Sequence, residues 1–170
     1  MKTDGTFLLP DVKQDTYDLD VAGLPNGYYL KSATLGTVDV TDGLNIGGEN
    51  PTSPLVLQLS PLGARVGGVV LTAGGKQACS ATVVLVPDGS RRSNQRFYQE
   101  ADVDRTGHYV LRGIAPGDYK LFAFDDVSDV GYLDPGSLRI YENRGQSAHF
   151  GVGDRQTVLL RIILTGTRNP

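Results

Sequence analysis

The densest set of groups that could hold a ligand is the carboxylate run Asp125, Asp126 and Asp129, with Asp134 close behind. A hard cation such as calcium takes roughly 6–8 oxygens, so these side chains could supply part of a site, although no EF-hand spacing accompanies them. The plainer reading is an Asp-rich solvated loop. The second set is aromatic. Glycan platforms use exposed rings, and this chain has no Trp, which leaves Tyr28, Tyr29, Tyr98, Tyr132 and Tyr141 as candidates. Neighbouring side chains of a strand point to opposite faces, so one ring each of Tyr28-Tyr29 and Phe97-Tyr98 must face outward. A platform would need two rings on one face, whereas single exposed aromatics are common on soluble proteins.

Catalytic chemistry has little to work with. Cys79 is the only cysteine, so no intrachain disulfide can form. As a nucleophile it would need an activating neighbour, and His108 and His149 are the only histidines, neither within a motif. Cys79 is read as a small structural residue where a strand begins. No phosphate loop, zinc-ligand spacing or nucleophile elbow is present. The expectation is a protein that is not an enzyme and needs no cofactor.

The elements that must position these residues read as strands. Short apolar-alternating runs recur between turn residues, and 22 Gly and 9 Pro are scattered without a period. The expected strands are Thr6–Leu9, Thr16–Val21, Tyr28–Leu35, a weak pair Val38–Val40 and Leu44–Ile46, and Pro54–Leu59. After a short linker, Ser60-Pro61-Leu62-Gly63, come Ala64–Thr72, Ala81–Val86, Phe97–Val103, His108–Arg112, Tyr119–Phe124, Ala148–Val152 and Gln156–Leu164. Gly74-Gly75 is read as a tight turn, and Asp134-Pro135 as the start of a short helix reaching about Asn143.

One pattern occurs twice. Gly5, Phe7, Leu9, Val12, Tyr17 and Leu19 match Gly107, Tyr109, Leu111, Ile114, Tyr119 and Leu121 at a constant shift of 102. Gly27-Tyr28 then matches Gly131-Tyr132, and Leu55-Val56-Leu57 matches Val158-Leu159-Leu160, at a shift of 103 or 104. A near-constant shift over this span marks two copies of one module. The division expected is a partial module over 1–60, lacking its first strands, and a complete one over 61–170. In each copy a Tyr follows a turn, where it can bury its ring and bond backbone through its hydroxyl.

Four motifs of the second copy carry a resemblance. They are Gly67-Gly68-Val69-Val70 with the Gly74-Gly75-Lys76 turn; Ala81-Thr82-Val83-Val84-Leu85; Asp104-Arg105-Thr106-Gly107-His108-Tyr109; and Ile114-Ala115-Pro116-Gly117-Asp118-Tyr119. In this order the chain resembles the carboxypeptidase regulatory-like domains of bacterial tandem-repeat proteins, whose fold is a transthyretin-like, seven-stranded antiparallel β-sandwich. It departs from the family at Gln77-Ala78-Cys79, where a Pro-containing turn is usual, and at Gln14-Asp15, which replaces Pro-Gly. The resemblance implies a secreted or cell-envelope location and a non-catalytic role as spacer or presentation module. The family's peptidase activity belongs to a separate zinc domain that is lacking here. A related pilin-type family joins Lys to Asn beside a buried acid, but the apolar strands of this chain carry no interior Lys.

Two alternatives stay open. A carbohydrate-binding module would use the tyrosines above. A homopolymer subunit would complete its partial first module with strands of another chain, through an edge at Phe7, Leu9, Leu19 and Val21. The expected partners are neighbouring modules of the same or an identical chain, or a glycan. Nucleic acid is not expected. Residues 1–60 hold 3 Lys/Arg and 8 Asp/Glu, residues 61–170 hold 13 and 11, and the Arg91-Arg92-x-x-x-Arg96 loop is only a mild positive patch. Neither a membrane-spanning stretch nor a signal peptide is expected, since no apolar run follows Met1-Lys2-Thr3-Asp4.

Overall fold

A computed structural model describes residues 5–48, 51–128, 130–134 and 136–166. These form a β-sandwich. In the first half the strands are β1 Asp15–Tyr17, β2 Tyr29–Leu35, β3 Val38–Asp39, β4 Leu44–Ile46 and β5 Leu55–Ser60. In the second half they are β6 Ala64–Leu71, β7 Thr82–Pro87, β8 Gln99–Asp102, β9 His108–Ile114, β10 Gly117–Phe124, β11 Gln146–Phe150, β12 Arg155–Thr157 and β13 Leu160–Ile163.

The alternation in β7 explains the layering. Val83 and Leu85 face the main core with Val66, Tyr109, Leu111, Leu121 and Phe150. Val84 and Val86 face the other way, into a second cluster with Phe122, Phe124, Leu138 and Ile163. β7 pairs with β10 from Tyr119↔Pro87 to Phe124↔Thr82, so both strands are buried on both faces. That is why β7 and the Leu121–Phe124 part of β10 read as nearly unbroken apolar runs. A 3-10 helix, Ser137–Arg144, covers the second cluster and inserts the fully buried Leu138. The Asp134 carboxylate accepts from the Ser137 amide at 3.0 Å and its hydroxyl at 2.8 Å, but the helix is 3-10, starts later than expected and has Gly136, not Asp134, at its N-cap. Pro135 lies outside the described residues.

The sheet is mixed, which corrects the purely antiparallel arrangement expected. β10 pairs antiparallel with β7 and β11 but parallel with β13, and β6 pairs antiparallel with β9 but parallel with β12 and β13. The segment after β11 crosses over and returns alongside β6, so β13 ties β6 to β10.

In the first half, β3-β2-β5 form a three-stranded sheet and β1-β4 a two-stranded ribbon, packed around Ala33, Val40, Leu44 and Ile46. Three expectations fail here. Gly5–Leu9 is irregular and forms no strand, Thr16–Val21 shrinks to Asp15–Tyr17, and Val38–Asp39 and Leu44–Ile46 pair with β2 and β1 rather than with each other. An isolated extended run leaves its backbone groups unpaired, so the Phe7–Leu9 pattern alone cannot make a strand. In the second half β8 starts at Gln99, with Phe97 inside a short 3-10 turn.

The two matched tyrosines behave alike. The Tyr119 hydroxyl donates to the Ala115 carbonyl at 2.9 Å, and the Tyr17 hydroxyl to the Lys13 carbonyl at 3.0 Å, each four residues upstream. Asp15↔Ile46, Thr16↔Asn45 and Tyr17↔Leu44 repeat the register of Gly117↔Phe150, Asp118↔His149 and Tyr119↔Ala148. The matched Gly5 and Gly107 both have positive φ, 83° and 75°. Burial pushes the Tyr119 phenol up to about 12, so it stays a neutral donor. Tyr119→Phe should cost about 1 kcal/mol in urea unfolding, and Tyr17→Phe less, because water can replace the bond at this more open corner. Equal losses would contradict the difference in burial.

Candidate functional site

The carboxylate run is used locally. Asp125 Oδ1 accepts from the amides of Asp126 and Thr165 and from the Thr165 hydroxyl, which fastens the chain after β13 to the end of β10. Asp126 Oδ1 accepts from the Ser128 amide. Asp129 lies outside the described residues. Among the described residues, no group of three His, Cys, Asp or Glu side chains is placed to hold a metal.

The tyrosines divide into two places. Tyr29 is buried in the core and Tyr28 is the outward ring of that pair, whereas Tyr98, beside the buried Phe97, is half-buried rather than outward. Tyr98, Tyr132 and Tyr141 all pack around the second apolar cluster, and Tyr141 meets Phe124 edge-on at 5.2 Å. The Tyr98 hydroxyl donates to the Arg92 carbonyl at 2.7 Å and the Tyr132 hydroxyl to Glu100 at 2.6 Å. Of the proposed assembly edge, Phe7 and Leu9 are exposed outside any strand, while Leu19 packs against the first-half core and Val21 is half-buried. Cys79 is exposed rather than packed.

The arrangement that sequence reading missed is a joint between the halves. The loop between β7 and β8, read as a mild positive patch, reaches back to the first half. The Arg96 side chain is only 5% exposed and meets Asp42 Oδ1 at 3.2 Å. Arg91 lies 3.9 Å from the same oxygen and donates to the Pro116 carbonyl at 2.8 Å. The buried Asn94 donates to the Asp42 carbonyl. Both guanidinium carbons stand near the Phe97 ring, at 4.6 Å for Arg91 and 4.1 Å for Arg96, within cation–π range. Desolvation lowers the Arg96 pKa from its usual value, and Asp42 offsets part of that effect. Arg92 turns the other way and makes a two-pronged bond to Glu142, which Lys120 also contacts.

Glycines close the joint. The Gly63 amide donates to the Gly27 carbonyl at 2.9 Å. A Cβ on Gly63 would stand 2.6 Å from the Gly113 Cα, and one on Gly113 would stand 2.5 Å from the Tyr28 carbonyl oxygen. The expected linker is itself tied down. Ser60 is buried and its hydroxyl accepts from the Leu62 amide, while the Leu62 carbonyl accepts from the Gly153 amide. Between the halves, Tyr28 and Asp20 face Arg96 and Tyr119 across a cavity of about 120 Å³. Small-molecule clefts run to roughly 300–1,000 Å³, so this space suits water rather than a ligand.

No protein-family profile matches the chain, and no curated protein matches it. Solved structures show distant likenesses. One is a putative carbohydrate-binding protein of Pseudomonas aeruginosa, with 15% identity and a TM-score of 0.40, covering 58% of this chain and 88% of that one. A DUF3823 family protein of Parabacteroides merdae has 13% identity and a TM-score of 0.38, covering 58% of this chain and 45% of that one. A streptococcal ancillary pilin has 12% identity and a TM-score of 0.39, covering 81% of this chain and 45% of that one. What the strands and their cores define is a β-sandwich, and no helix among the described residues is long and apolar enough to cross a membrane.

Two outcomes are expected at these contacts. Gly113→Ala should destabilise the chain by about 1–3 kcal/mol, because φ is 70° and the new Cβ meets backbone that must shift. Gly74→Ala, in an open turn, should stay within about 0.5 kcal/mol in the same urea titration. Glu142 is held down to about 2, first by its bonds to Arg92 and then by Lys120, against an ordinary value of 4.5. The stability it contributes is therefore complete above pH 4.5 and is lost as pH falls towards 2. Glu142→Gln should cost about 1 kcal/mol at neutral pH, after allowance for solvent screening, and the gap from wild type should close at the acid end.

Proposed function

We propose that this chain is a non-catalytic spacer or presentation element of a secreted or cell-envelope protein, built of two carboxypeptidase regulatory-like modules, 1–60 incomplete and 61–170 complete. The observation that carries the reading is the joint. Arg91, Arg96 and Asn94 of one half converge on Asp42 of the other, beside a glycine contact that admits no side chain. A spacer must hold its parts at a fixed angle, and the joint supplies that. The repeated tyrosine corners and strand registers support common descent of the two modules. Urea unfolding followed by far-ultraviolet circular dichroism and by tyrosine fluorescence should give one coincident transition. Two separable transitions would sink the rigid-spacer reading.

A second reading, a subunit that assembles with copies of itself, is favoured by β5. This is the outer strand of its sheet, has no charged residue, and leaves Val56 and Leu59 exposed. Open edges of this kind invite another strand, and natural proteins commonly blunt them with charge.

A further inference from the structure

Three arginines stand side by side on the outer face of the second half. Arg65 of β6 is the direct register partner of Arg112 of β9 on one side and of Arg155 of β12 on the other. All three are exposed, and among the described residues none makes an ion pair. Residues directly opposite across neighbouring strands share a face about 5 Å apart, and like charges placed so repel. Nothing in the fold requires the row, because the core beneath is built by the alternate positions Ala64, Val66 and Leu111. The next row along the strands is Val110–Gly67–Thr157, where the middle position has no side chain. It leaves a groove of about 380 Å³ beside Arg65 and Arg155. A cationic row beside a groove fits a run of carboxylates.

The chain carries such a run. Asp11, Asp15 and Asp18 are exposed within one short stretch of the first half, and among the described residues none pairs with a cation. Residues 1–60 have a net charge of -5 and residues 61–170 of +2, so unlike halves of two copies attract while like halves repel. We propose that Arg65, Arg112 and Arg155 form a docking row for the Asp11–Asp18 stretch of a second copy of this chain. The inference rests on the assembly reading, for which it names the contact that sets orientation.

Light scattering of the full chain at low and high salt tests it. Wild type should self-associate at low ionic strength and return to monomer at high salt, since exposed pairs are screened. Arg65→Glu with Arg155→Glu should weaken association about tenfold or more, with circular dichroism confirming the fold. Asp15→Arg with Asp18→Arg should do the same, and mixing the two variants should restore association. A double-reversal variant that associates as well as wild type overturns the docking row and leaves assembly to another surface, such as β5. Wild type that stays monomeric at low salt overturns both readings. A monomer that binds polygalacturonate through the arginines assigns the row to a different anion and also overturns the self-contact.

Discussion

A guanidinium taken out of water must find a counter-charge, and Arg96 finds one only by joining the two halves. Its side chain is almost fully buried against Phe97, and the carboxylate it meets belongs to Asp42, 54 residues earlier in the chain. Breaking such a pair by removing one partner typically costs more than the pair contributes, since the remaining charge is left desolvated. Here Asp42 is itself exposed, so the penalty falls on Arg96. Among the described residues the Arg96 Nε, like that of Arg92, has no hydrogen-bond partner, which leaves the network dependent on the contacts it does make. The same joint also holds the glycine contacts that close the linker and the small cavity between the halves.

The second half can bear that constraint because it has cores on both sides of β7 and β10. One core fills the sandwich, and the other lies outside it under Leu138 and Tyr141 of the 3-10 helix. The loop that carries Arg91, Arg92 and Arg96 springs from β7 and is pinned from both directions, by Asp42 on one side and Glu142 on the other. The first half has a much smaller core cluster, Ala33, Val40, Leu44 and Ile46 with a fringe of partly buried side chains, and leaves Phe7, Leu8 and Leu9 in the open. Its stability is therefore tied to the joint more closely than that of its neighbour.

The sequence was most legible where local chemistry and periodicity agree. Apolar runs bounded by turn residues announced β7 and β10, Asp134 announced a helix start nearby, and Tyr17 and Tyr119 announced corners that the hydrogen bonds reproduce. It was least legible where the outcome depends on distant partners. Phe7–Leu9 is apolar enough to read as a strand but forms none, and the parallel placing of β12 and β13 is set by a crossover that no local pattern encodes. Arg91, Arg92 and Arg96 looked like a solvated patch because composition cannot show that Asp42 and Glu142 wait on either side. The tyrosine set was half legible: one ring of Tyr28-Tyr29 was expected to face outward and Tyr28 does, but Phe97-Tyr98 lies outside any strand, and nothing local showed that Tyr98, Tyr132 and Tyr141 would gather around one cluster.

The account stands on the two halves behaving as one rigid body, and a distance between them tests this most directly. Cys79 is exposed and single, so a spin label there can be paired with one on Thr37→Cys in the turn between β2 and β3. Double electron–electron resonance should return one narrow distance distribution. A broad or multi-peaked distribution would mean that the halves swing about the linker, and the joint at Asp42 and Arg96 would lose its place at the centre of the fold.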